Sequence, residues 1–299
     1  MFPVPLTYYF DFATCKEAMY PLVMEEFSAN GARHIVLTDT LIDGITRGES
    51  NIGKIEKYMQ ESGLTFCDAH SLFGMEWCLY AVNGRLKNAL VNQMKLALDI
   101  CEYFQVKTIT AHMGPIGNPA TEGTPLETYI GNIQDSLAEL LPYAEKRDVV
   151  ICIENIWHPD STPEVLLEMK KNFPTPYLGF CYDAGHANIM DKSRYSRNEG
   201  RAWACWTAYG AEEPPWEDQA LEKMLPYIVN CHLHDNNGIA DEHTLPGRGN
   251  INWDHILPLL VKAPNLKVIQ SEVIPVKNGI SIPLLCKTFE KMGRDLSLK

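Results

Sequence analysis

No apolar run in this 299-residue chain approaches the roughly 18 residues that a membrane span requires. The opening stretch, MFPVPLTYYFDFAT, has neither the basic start nor the apolar segment of a secretory signal. Cysteine occurs nine times, an odd number, scattered and without a C-x-x-C pair. That pattern offers neither a disulfide framework nor a thiolate zinc motif, and it fits free thiols in a reducing compartment. A cytoplasmic location without membrane attachment is therefore the expectation. Positive charge is also short. Against 38 Asp and Glu stand 26 Lys and Arg, leaving a net charge of −12 and a pI near 5.2. Broad charge-driven binding to phosphate backbones is disfavoured, although a local site that binds nucleic acid is not excluded. Repeats, low-complexity tracts, linkers and Gly-rich phosphate loops are all missing, so the expectation is one domain over residues 1–299.

What is present is ordinary globular composition, with 45% hydrophobic and 21% charged residues. A chain of this length buries about three quarters of its unfolded surface, enough for a core without staples. Eight short apolar runs, from LTYYF (6–10) and HIVLT (34–38) to IVNCHLH (228–234) and LKVIQSE (266–272), alternate with amphipathic stretches. RLKNALVNQMKLALDICEYF (85–104) spaces Leu86, Leu90, Met94, Ala97 and Cys101 by three or four, which predicts a helix. Near-continuous apolar strands between helices imply a parallel sheet covered on its faces. Eight such units predict a single α/β domain, a (β/α)8 TIM barrel. The connection at 187–215, after the sixth strand, lacks clean periodicity but holds Trp203, Trp206 and Tyr209. It reads either as a lid loop or as a helical insertion packing its tryptophans in a satellite core.

The informative pattern is positional. Apolar runs three to eight end in His70, His112, Glu154, Asp183, His232 and Glu272. Side chains alternate along a strand, so Val150, Cys152 and Glu154 share a face, as do Gly179, Cys181 and Asp183, and Val268, Gln270 and Glu272. In a barrel those faces point inward and their last residues reach the catalytic rim. One strand-end carboxylate is usually a loop cap, and one histidine after an apolar run is usually a hydrogen-bonded core residue. Six on consecutive strands are harder to explain that way, and buried carboxylates gathered together repel unless a cation neutralises them. Oxygen-rich ligation with some imidazole suits Mn²⁺, Mg²⁺, Co²⁺ or Zn²⁺. His186 in DAGHAN, and Asp241 and His243 in ADEHTLPGRGN, are further candidates, while of His232 and His234 only one need bind a cation.

The stretches IEN, FCYDAGHAN, CHLHDNNG, DEHTLPGRGNINWDHIL and SEV together resemble the xylose isomerase-like barrel superfamily. That superfamily contains sugar and sugar-phosphate isomerases and epimerases, and also endonuclease IV. The resemblance implies one divalent ion, Mn²⁺ first with Zn²⁺, Co²⁺ or Mg²⁺ as alternatives, held by Glu154, Asp183, His232 and Glu272. It implies isomerisation or epimerisation of a small carbohydrate through an enediolate, with Glu154 and Glu272 as the acid/base pair. His186 would contact substrate oxygens. His70, His112, Asp241 and His243 would join it as substrate contacts or as ligands of additional metal. Trp77, Trp157 and Arg248 are weaker candidates for substrate contact. Arg248 stands in a Gly-Arg-Gly turn where relatives carry Gly-Glu-Gly, and it either binds an anionic group or pairs with a surface carboxylate. The same ligand set also matches the trinuclear zinc pattern of the endonuclease branch, and a metal-dependent dehydratase would share the enolate step. Self-association is left open.

Overall fold

The structure is a computed structural model and describes residues 1–74, 76–81, 84–114, 125–194 and 198–296. Eight parallel strands stand in chain order: β1 (Leu6–Tyr8), β2 (His34–Leu37), β3 (Thr65–His70), β4 (Thr108–Ala111), β5 (Val150–Glu154), β6 (Leu178–Asp183), β7 (Ile228–Leu233) and β8 (Val268–Ser271). The first pairs with the last, Thr7 opposite Gln270, and closes the barrel. Every run read as a strand from its apolar residues contributes one.

The outer layer comprises α1 (Tyr20–Ala29), α2 (Asp39–Thr46), α3 (Ile52–Ser62), α4 (Gly84–Tyr103), α5 (Leu126–Arg147) and α6 (Pro163–Asn172). It continues through α7 (Ala184–Met190), α8 (Gly200–Ala208), α9 (Ala220–Met224), α10 (Trp253–Leu260) and α11 (Ile282–Leu296). Local chemistry sets several of these ends. Asn51 accepts from the backbone N–H of Gly53 and Lys54 to start α3, and Gly63 at φ +68° ends it in the left-handed conformation. Thr162 caps α6, followed at once by Pro163. The predicted stripe on α4 is buried at Leu90, Met94, Ala97 and Cys101.

Alternation sorts the sheet as expected. Ile151, Ile153, Phe180 and Tyr182 join the main core between sheet and helices. Val150, Cys152, Cys181 and Val229 form a separate buried cluster inside the barrel. Gly179 belongs to that interior, because a Cβ there would stand 2.3 Å from Val229 Cγ2. Seven of the nine thiols are buried and all nine are free. No helix among the described residues is long and apolar enough to cross a membrane.

The segment after β6 resolves in favour of helix. The strand runs directly into α7, and α8 follows, with residues 195–197 outside the described residues. Trp206 and Tyr209 pack on Ile156, Trp157, Ile189, Met190, Ala202 and Cys205. The Trp206 indole N–H donates to the Trp157 carbonyl at 2.9 Å. Burying large aromatic area is what lets so short an insertion hold its place.

Candidate metal centre

The carboxyl ends of β5 to β8 meet at one rim. Asn155, the residue after β5, clamps the end of β6: its amide donates to the Asp183 carbonyl at 3.0 Å and accepts from the Asp183 N–H at 2.9 Å. Asp183 then caps α7, its Oδ1 accepting from the His186 N–H at 2.6 Å. Its other oxygen, Oδ2, lies 3.1 Å from His234 Nε2 and 3.8 Å from His232 Nδ1. His232 Nδ1 stands 2.8 Å from Glu154 Oε1 and 3.2 Å from Glu272 Oε1. Ligand atoms of Glu154, Asp183, His232 and Glu272 all fall within 4.8 Å of one another, and all four residues are buried.

A second group adjoins the first. His186, His234, Asp241 and His243 also bring their ligand atoms within 4.8 Å of one another, and a third group joins His70, His112 and Glu154. Asp183 Oδ2 lies between the first two groups, within reach of both His232 and His234. The loop after β7 supplies Asp241 and His243, and buried Asp235 fixes that loop. Its carboxylate accepts from the N–H of Gly247 at 2.7 Å, Ile251 at 3.2 Å and Asn236 at 3.0 Å, and from the Trp253 indole at 3.0 Å. Gly249 is required against it, since a Cβ there would meet Asn236 O at 2.1 Å and Asp235 Oδ1 at 2.3 Å. His243 takes φ +52°, a conformation uncommon outside glycine. Its ring spans Glu272 O at 2.8 Å and Asp241 Oδ2 at 2.8 Å.

Carboxylates and imidazoles shift one another's titration. Burial pushes the carboxyls of Glu154, Glu272 and Asp241 up, but neighbouring imidazoles outweigh it. Glu154 and Asp241 are held well below the usual carboxylate range, and Glu272 falls to about 2. Burial opposes charge on the histidines too, yet the carboxylates raise His186 well above the usual imidazole value and His243 to about 9, and Cys181 with Glu272 and Glu154 raises His232 well above it. His70, desolvated and facing His112, drops to about 4.

The donor set fits a divalent cation. Four carboxylates and six imidazoles converge; Glu154 Oε2 lies 2.9 Å from His112 Nε2, and the buried Asp241 Oδ1 has no hydrogen-bond partner among the described residues. Oxygens left bare in a dry site are costly unless a metal takes them. The first group, with three carboxylates to one imidazole, suits a hard ion, and the second, with three imidazoles to one carboxylate, suits zinc.

The weaker candidates lie elsewhere. Trp157 is 1% exposed, its ring edge-on to His186 at 5.0 Å, so it presents no open face to a ligand. Trp77 is half-buried against the main core. Arg248 is exposed and makes no ion pair among the described residues. The exposed aromatic beside the site is Phe73, 5.4 Å from the His70 ring and 5.2 Å from His112. Sequence reasoning treated His234 as spare and passed over Asp235 and Asp39. Burial raises the carboxyl of Asp39, at the start of α2, to about 6. The loop sequence HDNNG with a downstream G-x-G was the available signal for Asp235.

Comparison with known proteins follows from this geometry. The sequence model of the family described as "Xylose isomerase-like TIM barrel" matches residues 25–272. The chain belongs to that family. An uncharacterized protein, MJ1311 of Methanocaldococcus jannaschii, is 25% identical over 213 residues, which span 70% of this chain and 65% of that one. This chain therefore matches slightly less than two thirds of that relative's length. Among solved structures, a D-tagatose 3-epimerase-like protein superposes with a TM-score of 0.73 at 20% identity, covering 98% of this chain and 97% of the other. D-psicose 3-epimerase with D-tagatose, from Clostridium cellulolyticum H10, gives 0.66 at 16% identity, over 98% and 95%. The IOLI protein with a zinc atom gives 0.70 at 17%, over 98% and 97%.

Proposed function

We propose that this member of the family is a divalent-cation-dependent isomerase or epimerase of a sugar or sugar phosphate. The observation that carries the reading is the buried Glu154–Asp183–His232–Glu272 group at the carboxyl rim of the barrel. The same architecture in sugar epimerases supports it.

The chemical problem is removal of a proton α to a carbonyl. A bound cation would act as a Lewis acid on the carbonyl and neighbouring hydroxyl, lowering the cost of the enediolate. Manganese is favoured in the oxygen-rich group, with Zn²⁺, Co²⁺ or Mg²⁺ as alternatives. The side chains do the rest. Glu154, whose Oε1 faces His232 at 2.8 Å and whose Oε2 lies 2.9 Å from His112 Nε2, is the proton acceptor. Glu272, from the far strand of the group, takes up a proton from solvent and delivers it to the other face. Held well below neutral pH by His232, both carboxylates are ionised and ready as bases. His186, close to Asp241 and Asp183, donates to substrate oxygens, and Phe73 offers a face to the sugar's C–H surface.

The decisive experiment is incubation with a panel of ketoses and ketose phosphates in D₂O, scored by NMR for deuterium at the carbon next to the carbonyl. Incorporation into one of them supports the reading, and none in any metal-loaded reaction overturns it. The second and third ligand groups favour a rival, a zinc-dependent phosphodiesterase of the endonuclease IV kind. Three tightly held zinc ions with incision of an abasic duplex would establish that rival. A dehydratase would give release of water instead of simple exchange.

A further inference from the structure

Barrel interiors are normally filled by branched aliphatic residues. Below the rim this one holds a column of polar side chains. Asp68, Thr108, Thr110, Asn230 and His232 are all at most 1% exposed. Asp68 points inward from β3, two residues before His70. Its Oδ1 accepts from the Thr108 hydroxyl at 2.6 Å and the Ala69 N–H at 2.9 Å. Its Oδ2 accepts from the Asn230 amide at 2.9 Å. No lysine or arginine pairs with it among the described residues. Burying such a group is expensive and calls for a purpose.

The column leads upward. The Asn230 NH₂ has two hydrogens, one given to Asp68 and the other to Thr110 Oγ1 at 2.9 Å. A carboxylate only accepts, so Asp68 forces the NH₂ end of Asn230, not its carbonyl, toward both neighbours. Thr110 Oγ1, with one lone pair thus filled, lies 3.3 Å from His232 Nε2. The opposite ring nitrogen, Nδ1, is the atom that faces Glu154 and Glu272. The geometry points to Thr110, braced by Asn230 and Asp68, as the positioning residue that turns Nδ1 of His232 toward the cation. A ligating histidine commonly has its second nitrogen held this way, and the holder sets both ring orientation and tautomer. Here the hydroxyl of Thr110 has one lone pair and one hydrogen left, so it can meet Nε2 either as acceptor or as donor. His232 is therefore oriented both with and without a cation.

This inference rests on the proposed cation at the four-residue group, so the test reads binding, not turnover. Mn²⁺ affinity is measured by competition with a fluorescent chelator, on the binding step that Asp183→Asn removes. Thr110→Val keeps the shape and deletes the hydroxyl, and is expected to weaken that step by about 10- to 100-fold. Thr110→Ser, which restores the hydroxyl, is expected to bind as the unaltered chain does, and Asp68→Asn to weaken binding in the same direction as Thr110→Val. A column serving only to fill the barrel would leave all three affinities alike. Unchanged affinity in Thr110→Val, or Thr110→Ser as weak as Thr110→Val, overturns the inference. Should Thr110→Val not fold, Asp68→Asn decides, and its unchanged affinity overturns it equally. If the unaltered chain binds no divalent cation, the proposed function falls and takes this inference with it. Tight binding that ignores all three substitutions removes the inference alone.

Discussion

The ring of His234 occupies the space in which a side chain on Gly185 would begin. A Cβ at that glycine would stand 2.0 Å from Cε1 and 2.5 Å from Nε2 of the imidazole. The first turn of α7 and the end of β7 therefore touch only because position 185 is bare, and His234 reaches Asp183 through that gap. Gly185→Ala must displace the ring. We expect a loss of about 1–3 kcal/mol of stability from overpacking, and loss of any cation held by His186, His234, Asp241 and His243. Metal content by elemental analysis alongside thermal unfolding checks both, and an alanine variant with unaltered stoichiometry would contradict the placement of His234.

Glu154→Gln and Glu272→Gln preserve shape while removing the proton acceptor. Each is expected to fold and to lower solvent-deuterium exchange by about 10²- to 10⁴-fold. Retained exchange in both single variants would sink the acid/base assignment.

Cation binding should be strongly pH-dependent. In the cation-free protein His186 and His232 are raised well above 6.5 and His243 to about 9, so near neutral pH these rings carry protons that a cation must expel. Affinity should climb as pH rises toward 9, by about tenfold per unit for each proton displaced. Titration calorimetry in buffers of different ionisation enthalpy reads the proton release directly, and identical heats in all of them would refute it.

In the loop after β5, His158 Nδ1 lies 2.9 Å from Asp160 Oδ1, and its Nε2 lies 3.0 Å from the Tyr209 hydroxyl. Burial alone would lower its pKa, but Asp160 carries it up to about 10. A raised histidine contributes stability that is complete below its unfolded value of about 6.5 and is lost as pH climbs to its folded value. Chelator-treated protein should therefore lose stability between pH 6.5 and about 10, and His158→Gln should lose less over that window. Equal slopes in denaturant titrations would count against the charged pair.

The barrel and four of its rim residues were legible because strand parity alone decides which side chains face inward. Glu154, Asp183, His232 and Glu272 needed only that rule and the strand ends. His234 was not legible: it shares a face with His232 but lies just past β7, where the chain turns toward α7 and a different set of partners. Asp68 was hidden because the value of an inward acid depends on donors from β4 and β7, far away in sequence. Trp157 misled in the opposite direction, since residue type cannot tell a sugar-facing ring from one sealed under an insertion. The segment at 187–215 gave no period because its helices are short and bury residues against a small local cluster.

Asp235 gathers four donors around the loop that brings Asp241 and His243 to the rim, and the His243 carbonyl adds a second anchor, accepting from the Ile274 N–H at 3.0 Å and the Asn278 amide at 3.0 Å. The side chains at 240–242 can be exchanged while the bracket at 235, 243, 244, 247, 249 and 251 stays as it is, so altering what this frame accepts would be a matter of changing a clipped-on part.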